Sequence, residues 1–391
     1  MMRILYYLQH YLSPSMTFTY LQLLGVSKNF STTVICSRKK ENIDVFPYES
    51  LYYFPASHFQ IMIAQLNEKI KFRAPKQFVN INPFLFRKQK EKISTVIESK
   101  KINLIHAHFG PSGIEILQTA KKLNIPLLVT FHGYDIYALL IHKKYIEHIK
   151  KLYEYAGFIV VSKNMKLRLK NIFGDDNRIH VIHCGIPLNV FSFAERESIK
   201  QKKVNNKLIS FLQVSNFVEK KGQKYTVLAF SKFLESYPNA NLIFAGDGPL
   251  ESDIKNLCKD LNINEKVKFL GHIKHSEVFN LMKKADVFLH HSIVADNGDQ
   301  EGIPTTIMEA MATGLPVIST IHSGIPELID DGINGHLVKE KDIVAYAKKM
   351  SEILLDNGEI GANARRKIES DFNLEIQNKK IEELYSKILG Q

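Results

Sequence analysis

The hydrophobic pattern alternates between two kinds of segment along the chain. Short apolar runs rich in β-branched and aromatic residues, typical of buried strands, are separated by segments with helical spacing of apolar positions. A polar, charged stretch at residues 193–206 interrupts this pattern, which then starts again. Strands that alternate with helices predict parallel sheets covered on both faces, so we expect two doubly wound α/β domains facing each other across a cleft.

The alternation predicts the following elements and boundaries. Strands are expected at residues 3–9, 31–37, 103–109, 126–133, 157–162, 179–185, 207–215, 240–246, 266–271, 287–292 and 316–321. Helices are expected at residues 113–124, 137–154, 222–236, 250–262, 275–285, 304–313, 341–355 and 373–388. The domains that follow are a first domain at 1–190, a linker at 191–206, a second domain at 207–371 and a C-terminal helix at 372–391.

Composition agrees with a soluble two-domain enzyme. The 391 residues are 45% hydrophobic and 24% charged, and the chain is too long for one ordinary domain. We find no apolar run of about 18 residues, so no membrane span is expected. Cys36, Cys184 and Cys258 have neither metal-binding nor redox spacing, which favours unpaired thiols in a reducing cytoplasm.

Charge is concentrated in the first half of the chain. Residues 1–190 contain 26 Lys and Arg against 12 Asp and Glu, whereas residues 191–391 contain 26 against 28. Candidate clusters lie at 69–76, 86–92 and 142–155, and the last has the pattern of a basic amphipathic helix. We predict that this domain contacts an anionic membrane surface, on the inner face of the cytoplasmic membrane. The alternative is a helix with its apolar side in the core; nucleic acid binding is disfavoured because no DNA or RNA module pattern occurs.

Two carboxylates flank a predicted helix start in "GDQEGIPTTIMEA" (298–310). Glu301 falls in the loop after the strand at 287–292, and Pro304 suits the first helical position. Glu309 lies five residues further, about 7.5 Å along the helix axis. Gly314 suits the end of the helix.

This helix start has the features of an anion site. The N–H groups near Gly302, Ile303, Thr305 and Thr306 would point back into the loop without intrahelical partners. An anion there, with a carboxylate on either side, suits a ligand with hydroxyls flanking a diphosphate, that is, a nucleotide sugar. The alternative is a capping glutamate and a solvent-facing glutamate on the helix.

The same segment carries a resemblance to a known family. "EGIPTTIMEAMATGLPVISTIHSGIPELIDDGINGHLV" resembles the donor-binding segment of family-4 retaining glycosyltransferases with their E-x7-E motif, most of all the colanic acid, exopolysaccharide and lipopolysaccharide branch. Further motifs in the expected order are "IHAHFG" (105–110), "TFHGYDI" (130–136), "VIHCGIP" (181–187), "VEKKG" (218–222), "FAGDGPL" (244–250) and "FLGHI" (269–273). The resemblance implies the GT-B fold, with two Rossmann-like domains, the acceptor site mostly N-terminal, the donor site mostly C-terminal, and the last helix crossing back to the first domain.

The resemblance also implies residue roles. In the second domain Glu301 would contact the donor hexose, Glu309 would hold the ribose, and Lys221 would neutralise the leaving diphosphate. In the first domain His132 would lie by the transferred sugar with Asp135 as support. The helix-start contacts to sugar hydroxyls and diphosphate would come from Gly302, Ile303, Pro304, Thr305 and Thr306.

Three positions depart from the family pattern. Asn216 stands where the family usually has an Arg that binds the diphosphate, so one cation is missing. Met16 replaces a Glu in the N-terminal loop, which leaves Ser15 and Thr17 as its candidate substrate contacts. The usual glycine pair of that loop is also absent.

These observations predict a retaining transferase that needs no cofactor. It would move a hexose from a nucleotide-diphosphate sugar to a glycan or polyprenyl-diphosphate-linked acceptor in bacterial surface polysaccharide assembly. Because the chain has no Asp-x-Asp, we expect no divalent ion, and the pairs His106/His108, His272/His275 and His290/His291 are expected in the core or cleft. Because of Asn216, a non-catalytic subunit that binds a sugar nucleotide remains an alternative function, as does an epimerase of the same fold. A dehydrogenase is disfavoured because "GDGPLE" lacks the third Gly of the dinucleotide-binding fingerprint.

Overall fold

The computed structural model describes residues 1–13, 16–55 and 85–390. These residues form two compact units. The first comprises the described residues of 1–161, 166–182 and 377–390, and the second comprises 162–165 and 183–376. Each unit is built on one parallel sheet, which confirms the predicted fold class.

The first unit has a seven-stranded parallel sheet in the order β3-β2-β1-β4-β5-β6-β7. Its strands are β1 Arg3–His10, β2 Ser31–Lys39, β3 Leu51–Tyr53, β4 Leu104–His108, β5 Leu127–Phe131, β6 Gly157–Val160 and β7 Ile179–Val181. Its described helices are α1 Thr17–Val26, α2 Arg87–Ser99, α3 Gly110–Lys122, α4 Tyr134–Tyr137, α5 Lys143–Tyr153 and α6 Lys163–Phe173, whose first turn belongs to the second unit. A 3-10 turn at Leu139–Ile141 separates α4 from α5, so the single helix expected at 137–154 is divided.

The second unit has a six-stranded parallel sheet in the order β10-β9-β8-β11-β12-β13. Its strands are β8 Ile209–Val214, β9 Ala240–Ala245, β10 Val267–Phe269, β11 Val287–His290, β12 Val317–Thr320 and β13 His336–Val338. Its helices are α7 Ile199–Val204, α8 Gln223–Leu234, α9 Glu251–Asp260, α10 His275–Lys284, α11 Thr305–Ala312, α12 Ile343–Glu352, α13 Glu359–Asp371 and the start of α14 Leu374–Ile388. Further 3-10 turns lie at Glu219–Lys221, Asn264–Lys266, Ile325–Glu327 and Ile353–Leu355.

The eleven predicted strands are all present, most of them shorter than expected. The apolar runs extend past the last ladder hydrogen bond into buried loops, as at Val161 and His291. Two strands were not predicted, β3 and β13, each three residues long and at an edge of its sheet. Such short edge strands give too little alternation to be recognised from a pattern.

The stretch expected as a linker packs against the second unit. Ile199, on α7, is buried in the core of that unit. Arg196 is half-buried, and its guanidinium donates to the carbonyl of Thr313 at 2.6 Å and to that of Met282 at 3.0 Å. Thr313 caps the carboxyl end of α11, so a cation there complements the helix dipole. Burial lowers the pKa of Arg196 to about 10.

The last helix crosses into the first unit, as the fold class required. From Gln377 onward the residues of α14 belong to that unit. The Tyr385 ring is fully buried, and its hydroxyl bonds both to His106 Nδ1 and to the Tyr6 hydroxyl. These are polar groups of β4 and β1, so the helix is fastened to the centre of the first sheet.

Helix α5 does not offer the apolar face that we expected to lie on a membrane. Tyr145, Ile149 and Leu152 are buried in the first unit, as are Leu139 and Leu140 before the helix. The lysines remain on the other side. The core-facing alternative is therefore the correct one for this helix, and the cluster at 69–76 lies outside the described residues.

Candidate functional site

A tight turn after β8 positions two lysines in the second unit. The 3-10 turn Glu219–Lys221 ends at Gly222, whose φ of 59° is left-handed. A Cβ at Gly222 would lie 1.9 Å from the carbonyl oxygen of His291, so only glycine lets the turn approach the end of β11 this closely. The Gln213 side chain, buried at the end of β8, donates to the Lys221 carbonyl at 2.9 Å. We call residues 219–221 the lysine turn.

The lysine turn pairs with the acidic loop that joins β11 to α11. We call residues 291–304 the carboxylate loop. Lys221 Nζ lies 2.7 Å from Glu301 Oε1, and Lys220 Nζ lies 2.9 Å from Asp299 Oδ2. Burial disfavours the charge of Glu301, but the two lysines outweigh it and lower its pKa to about 2. Glu301 is therefore a carboxylate at every physiological pH, a hydrogen-bond acceptor and not a proton donor.

The start of α11 leaves polar groups without partners. Helix α11 begins at Thr305, one residue after Pro304, and has no side-chain cap. The Ile307 N–H donates to the Pro304 carbonyl at 3.2 Å, whereas the N–H groups of Thr305 and Thr306 have no acceptor within the helix, as is usual at a helix start. The Thr306 hydroxyl is buried and has no hydrogen-bond partner among the residues that the structure describes. A ligand with acceptor oxygens would satisfy these groups.

Glu309 presents one free carboxylate oxygen. Its Oε1 is 2.9 Å from His275 Nε2, at the start of α10. Its Oε2 is buried without a hydrogen-bond partner in the described part of the chain. The hydrogen bond that His275 donates to the Glu309 carboxylate raises the pKa of His275. An alternative expected from sequence, a solvent-facing Glu309, is wrong, because the residue is only 4% exposed.

Two adjacent buried histidines at the end of β11 differ in their hydrogen bonds. His290 is fully buried, and neither ring nitrogen has a partner among the described residues. Burial, with Lys221 nearby, lowers its pKa to about 3, so the ring is neutral. His291 Nε2, in contrast, accepts from the Lys341 N–H at 3.0 Å, and its ring stacks on Tyr225. The sequence alone predicts only a core or cleft position for both rings.

The other residues predicted to contact the donor are Gly302, Ile303, Thr305 and Asn216. The Ile303 side chain belongs to the apolar core, and the Gly302 carbonyl accepts from the Gly324 N–H at 3.2 Å. Asn216 is exposed, and its carbonyl accepts from the Gln223 side chain at 2.8 Å. Thr305 is half-buried at the first position of α11.

His132, in the first unit, pairs with a histidine that sequence analysis had not given a role. His132 Nε2 lies 3.1 Å from His108 Nδ1, and the two rings are stacked within 10°. His132 Nδ1 is buried without a hydrogen-bond partner among the described residues. Burial, and then His108, hold the pKa of His132 well below its usual range. His132 is therefore a neutral donor or acceptor and not a cation.

Asp135 supports His132 through the backbone and not through the imidazole. Its Oδ1 accepts from the N–H groups of His132 at 3.0 Å and Gly133 at 3.1 Å, and its Oδ2 accepts from Gly110 at 3.0 Å. Burial raises its pKa to about 6, against the lowering effect of these N–H groups. The carboxylate thus fixes the turn after β5 against the start of α3.

The two substrate contacts predicted near the N-terminus are Ser15 and Thr17. Thr17 is the first residue of α1 and is half-buried. Ser15 lies outside the described residues.

Comparisons with known proteins agree with this architecture. The profile of Glycosyltransferase Family 4 matches residues 39–190, and that of Glycosyl transferases group 1 matches residues 194–370. A Salmonella typhimurium protein, provisionally named as the colanic acid biosynthesis glycosyltransferase WcaL, is 31% identical over 72% of this chain and 70% of its own length. The chain belongs to the family-4, group 1 glycosyltransferases.

Two further proteins are similar to this glycosyltransferase. The UDP-Gal:alpha-D-GlcNAc-diphosphoundecaprenol alpha-1,3-galactosyltransferase of Escherichia coli is 26% identical over 78% of this chain and 81% of its own. The crystal structure of Anabaena Alr3699/HepE in complex with UDP has a TM-score of 0.76 at 19% identity, over 99% of this chain and all of that one. The second likeness shows the fold of the glycosyltransferase, which is GT-B.

Proposed function

We propose that the chain is a retaining hexosyltransferase of bacterial surface polysaccharide assembly. It takes a hexose from a nucleotide-diphosphate sugar and places it on a glycan or polyprenyl-diphosphate-linked acceptor, without a metal ion. The observation that carries the proposal is the free oxygen of Glu309 at one side of the α11 start, with the ionised Glu301 in the loop before it. Lys221 of the lysine turn lies beside the Glu301 carboxylate. The names of the similar colanic acid protein and of the Escherichia coli galactosyltransferase support the pathway class and the lipid-linked acceptor.

Each part of the donor has a matching group in the second unit. Glu309 Oε2 accepts hydrogen bonds from the ribose hydroxyls, while the α11 start and Thr306 bind the diphosphate. Glu301 accepts from hexose hydroxyls. Lys221 shifts from the Glu301 carboxylate to the diphosphate, whose negative charge grows as the glycosidic bond breaks.

The proposed chemistry proceeds on one face of the sugar. The bond from the anomeric carbon to the diphosphate oxygen breaks, and the acceptor oxygen bonds to that carbon from the same side. The leaving diphosphate receives the acceptor proton. The protein contributes position and charge, with neutral His132 in the first unit as a further hydrogen-bonding group for the transferred sugar.

The membrane part of the proposal rests on charge alone. The structure has no helix, within the described ranges, that is long and apolar enough to cross a bilayer. The excess of 26 basic over 12 acidic residues in 1–190 supports a peripheral contact of the first unit with anionic lipid at the cytoplasmic face.

Calorimetric titration with UDP-, GDP- and dTDP-sugars, with EDTA present, tests the donor site. We expect one donor to bind, and we expect Glu309→Gln to weaken that binding at least tenfold because the ribose loses a charged acceptor. Glu352→Gln, at the half-buried last residue of α12, is the matched control. Unchanged affinity in Glu309→Gln would refute the ribose role, and a strict requirement for a divalent ion would refute the metal-free site.

Product analysis then tests the reaction itself. The anomeric configuration of the product, read by NMR, should match that of the donor. Inversion would overturn the retaining assignment. Binding without transfer to any lipid-linked acceptor would instead favour the non-catalytic subunit, and a changed free sugar nucleotide would favour the epimerase.

A further inference from the structure

The carboxylate loop is held at two points by a pair of residues outside the predicted site, the buried His322 and the half-buried Glu340. Glu340, just after β13, uses both of its oxygens. Its Oε1 is 2.7 Å from His322 Nδ1, and its Oε2 accepts from the Val294 N–H at 2.9 Å. On the other side of the ring, His322 Nε2 accepts from the Glu301 N–H at 3.2 Å. The pair therefore touches the loop near its start and again at Glu301.

The hydrogen bonds define the tautomer of His322. An N–H group of the backbone can only donate, so His322 Nε2 must carry a lone pair and Nδ1 must carry the proton. Nδ1 then donates to Glu340, which is an acceptor on both oxygens. The His322 side chain is fully buried, so water does not compete for either nitrogen.

The backbone around His322 is packed closely against the same loop. Gly324 donates its N–H to the Gly302 carbonyl at 3.2 Å. A Cβ at Gly324 would lie 2.6 Å from that carbonyl oxygen, so a larger residue would push the two loops apart. The Glu301 main chain is thus fixed on both sides, by His322 before it and by Gly324 after it.

We propose that His322 and Glu340 are positioning residues, which set the place of the Glu301 carboxylate through its backbone N–H. The carboxylate loop is 14 residues long and has no helix or strand, so its course depends on individual contacts with the segments around it. The lysine turn holds the Glu301 side chain, and the His322–Glu340 pair holds its main chain. Supporting contacts of this kind typically change activity by about 10- to 100-fold when lost.

This inference rests on the proposed role of Glu301 at the donor hexose. Two substitutions at one position separate the two hydrogen bonds of the ring. The amide oxygen of His322→Gln can reach the Nε2 position and accept from Glu301, but the donor to Glu340 is lost. His322→Asn keeps a donor at the Nδ1 position, but nothing then accepts from the Glu301 N–H.

Steady-state transfer with the identified donor gives the first readout. We expect His322→Asn to lower kcat about 10- to 100-fold with little change in donor KM, and His322→Gln to keep most of the turnover at a similar Tm. Glu340→Gln should fall between them. Equal activity of the two His322 variants, or losses that simply follow Tm, would overturn the proposal.

Amide hydrogen exchange gives a readout that needs no substrate. The Glu301 N–H should be protected in the unchanged protein and in His322→Gln, and should exchange faster in His322→Asn. Equal exchange in both variants would show that the contact does not hold the loop. Absence of transfer in the unchanged protein, with normal protection of Glu301, would count against the proposed function and leave the contact itself intact.

Discussion

The Lys221–Glu301 ion pair should be needed for transfer but not for folding. Both side chains are largely buried, 17% and 10% exposed, and their charged atoms are 2.7 Å apart. Removing one partner leaves the other charge largely buried without its nearest counter-charge. Replacing both by apolar residues of similar volume removes both desolvation costs together.

The structure gives the expected size of the effect. Loss of one partner of a buried pair costs about 3–5 kcal/mol, and we take the lower end because both groups keep some contact with water. At about 2–4 °C per kcal/mol for a unit of this size, Lys221→Met or Glu301→Leu alone should lower Tm by roughly 6–12 °C. The double variant should return to within about 1 kcal/mol of the unchanged protein, because neither charge is then left buried.

Calorimetric Tm values of the unchanged protein, the two single variants and the double variant form a double-mutant cycle. Transfer activity is assayed for the same four proteins. All three variants should lose about 100- to 1,000-fold in kcat, because the growing charge on the diphosphate or the hexose contact is lost. The reasoning is refuted if the two Tm losses simply add in the double variant. It is also refuted if the double variant recovers transfer along with stability.

Three further predictions follow from the site and the basic domain. His290→Leu should raise Tm, because it removes a buried ring whose nitrogens have no hydrogen-bond partner among the described residues. His291→Leu should lower Tm, because the Lys341 N–H loses its acceptor. Calorimetry of both variants checks this. The hydrogen bond to Glu309 raises the pKa of His275 in the folded protein above the ordinary value of 6.5. The stabilisation from this bond is therefore fully present below pH 6.5 and is lost as the pH rises through the folded pKa. The difference in Tm between the unchanged protein and His275→Gln should shrink between pH 6 and pH 9. Salt should release the protein from anionic vesicles in a flotation assay, and salt-insensitive binding would contradict the electrostatic contact.

Helix and strand order could be read from the sequence because it depends on local periodicity. All eleven predicted strands formed, and Glu301 and Glu309 fell in the loop and helix that their spacing required. The stretch at 193–206 packs against the second unit, which its composition does not predict. Its polar composition is typical of a linker, but the Arg196 guanidinium is held by carbonyls at the ends of α11 and α10, which are distant in sequence.

The partners of the site residues could not be read in the same way. His275 lies 34 positions from Glu309, which it contacts. His322 lies 21 positions from Glu301, and Glu340, which supports Glu301 through the His322 ring, lies 39 positions from it. Nothing in the local pattern separates them from ordinary loop residues. The lysines of "EKKG" were recognised by resemblance. Their ion pairs, Lys220 with Asp299 and Lys221 with Glu301, depend on the contact between the lysine turn and the carboxylate loop, which only the folded structure shows.

The sequence by itself determined the class of fold, the order of the elements and the carboxylate pair around α11, because each follows from spacing along one segment. Tertiary structure decided the state of the groups in that site. In the second unit, burial and charge together keep Glu301 ionised, leave Glu309 with one free oxygen and keep His290 neutral. In the first unit, burial likewise keeps His132 neutral. These properties depend on which side chains meet after folding, because desolvation and Coulomb interactions act through space and not along the chain.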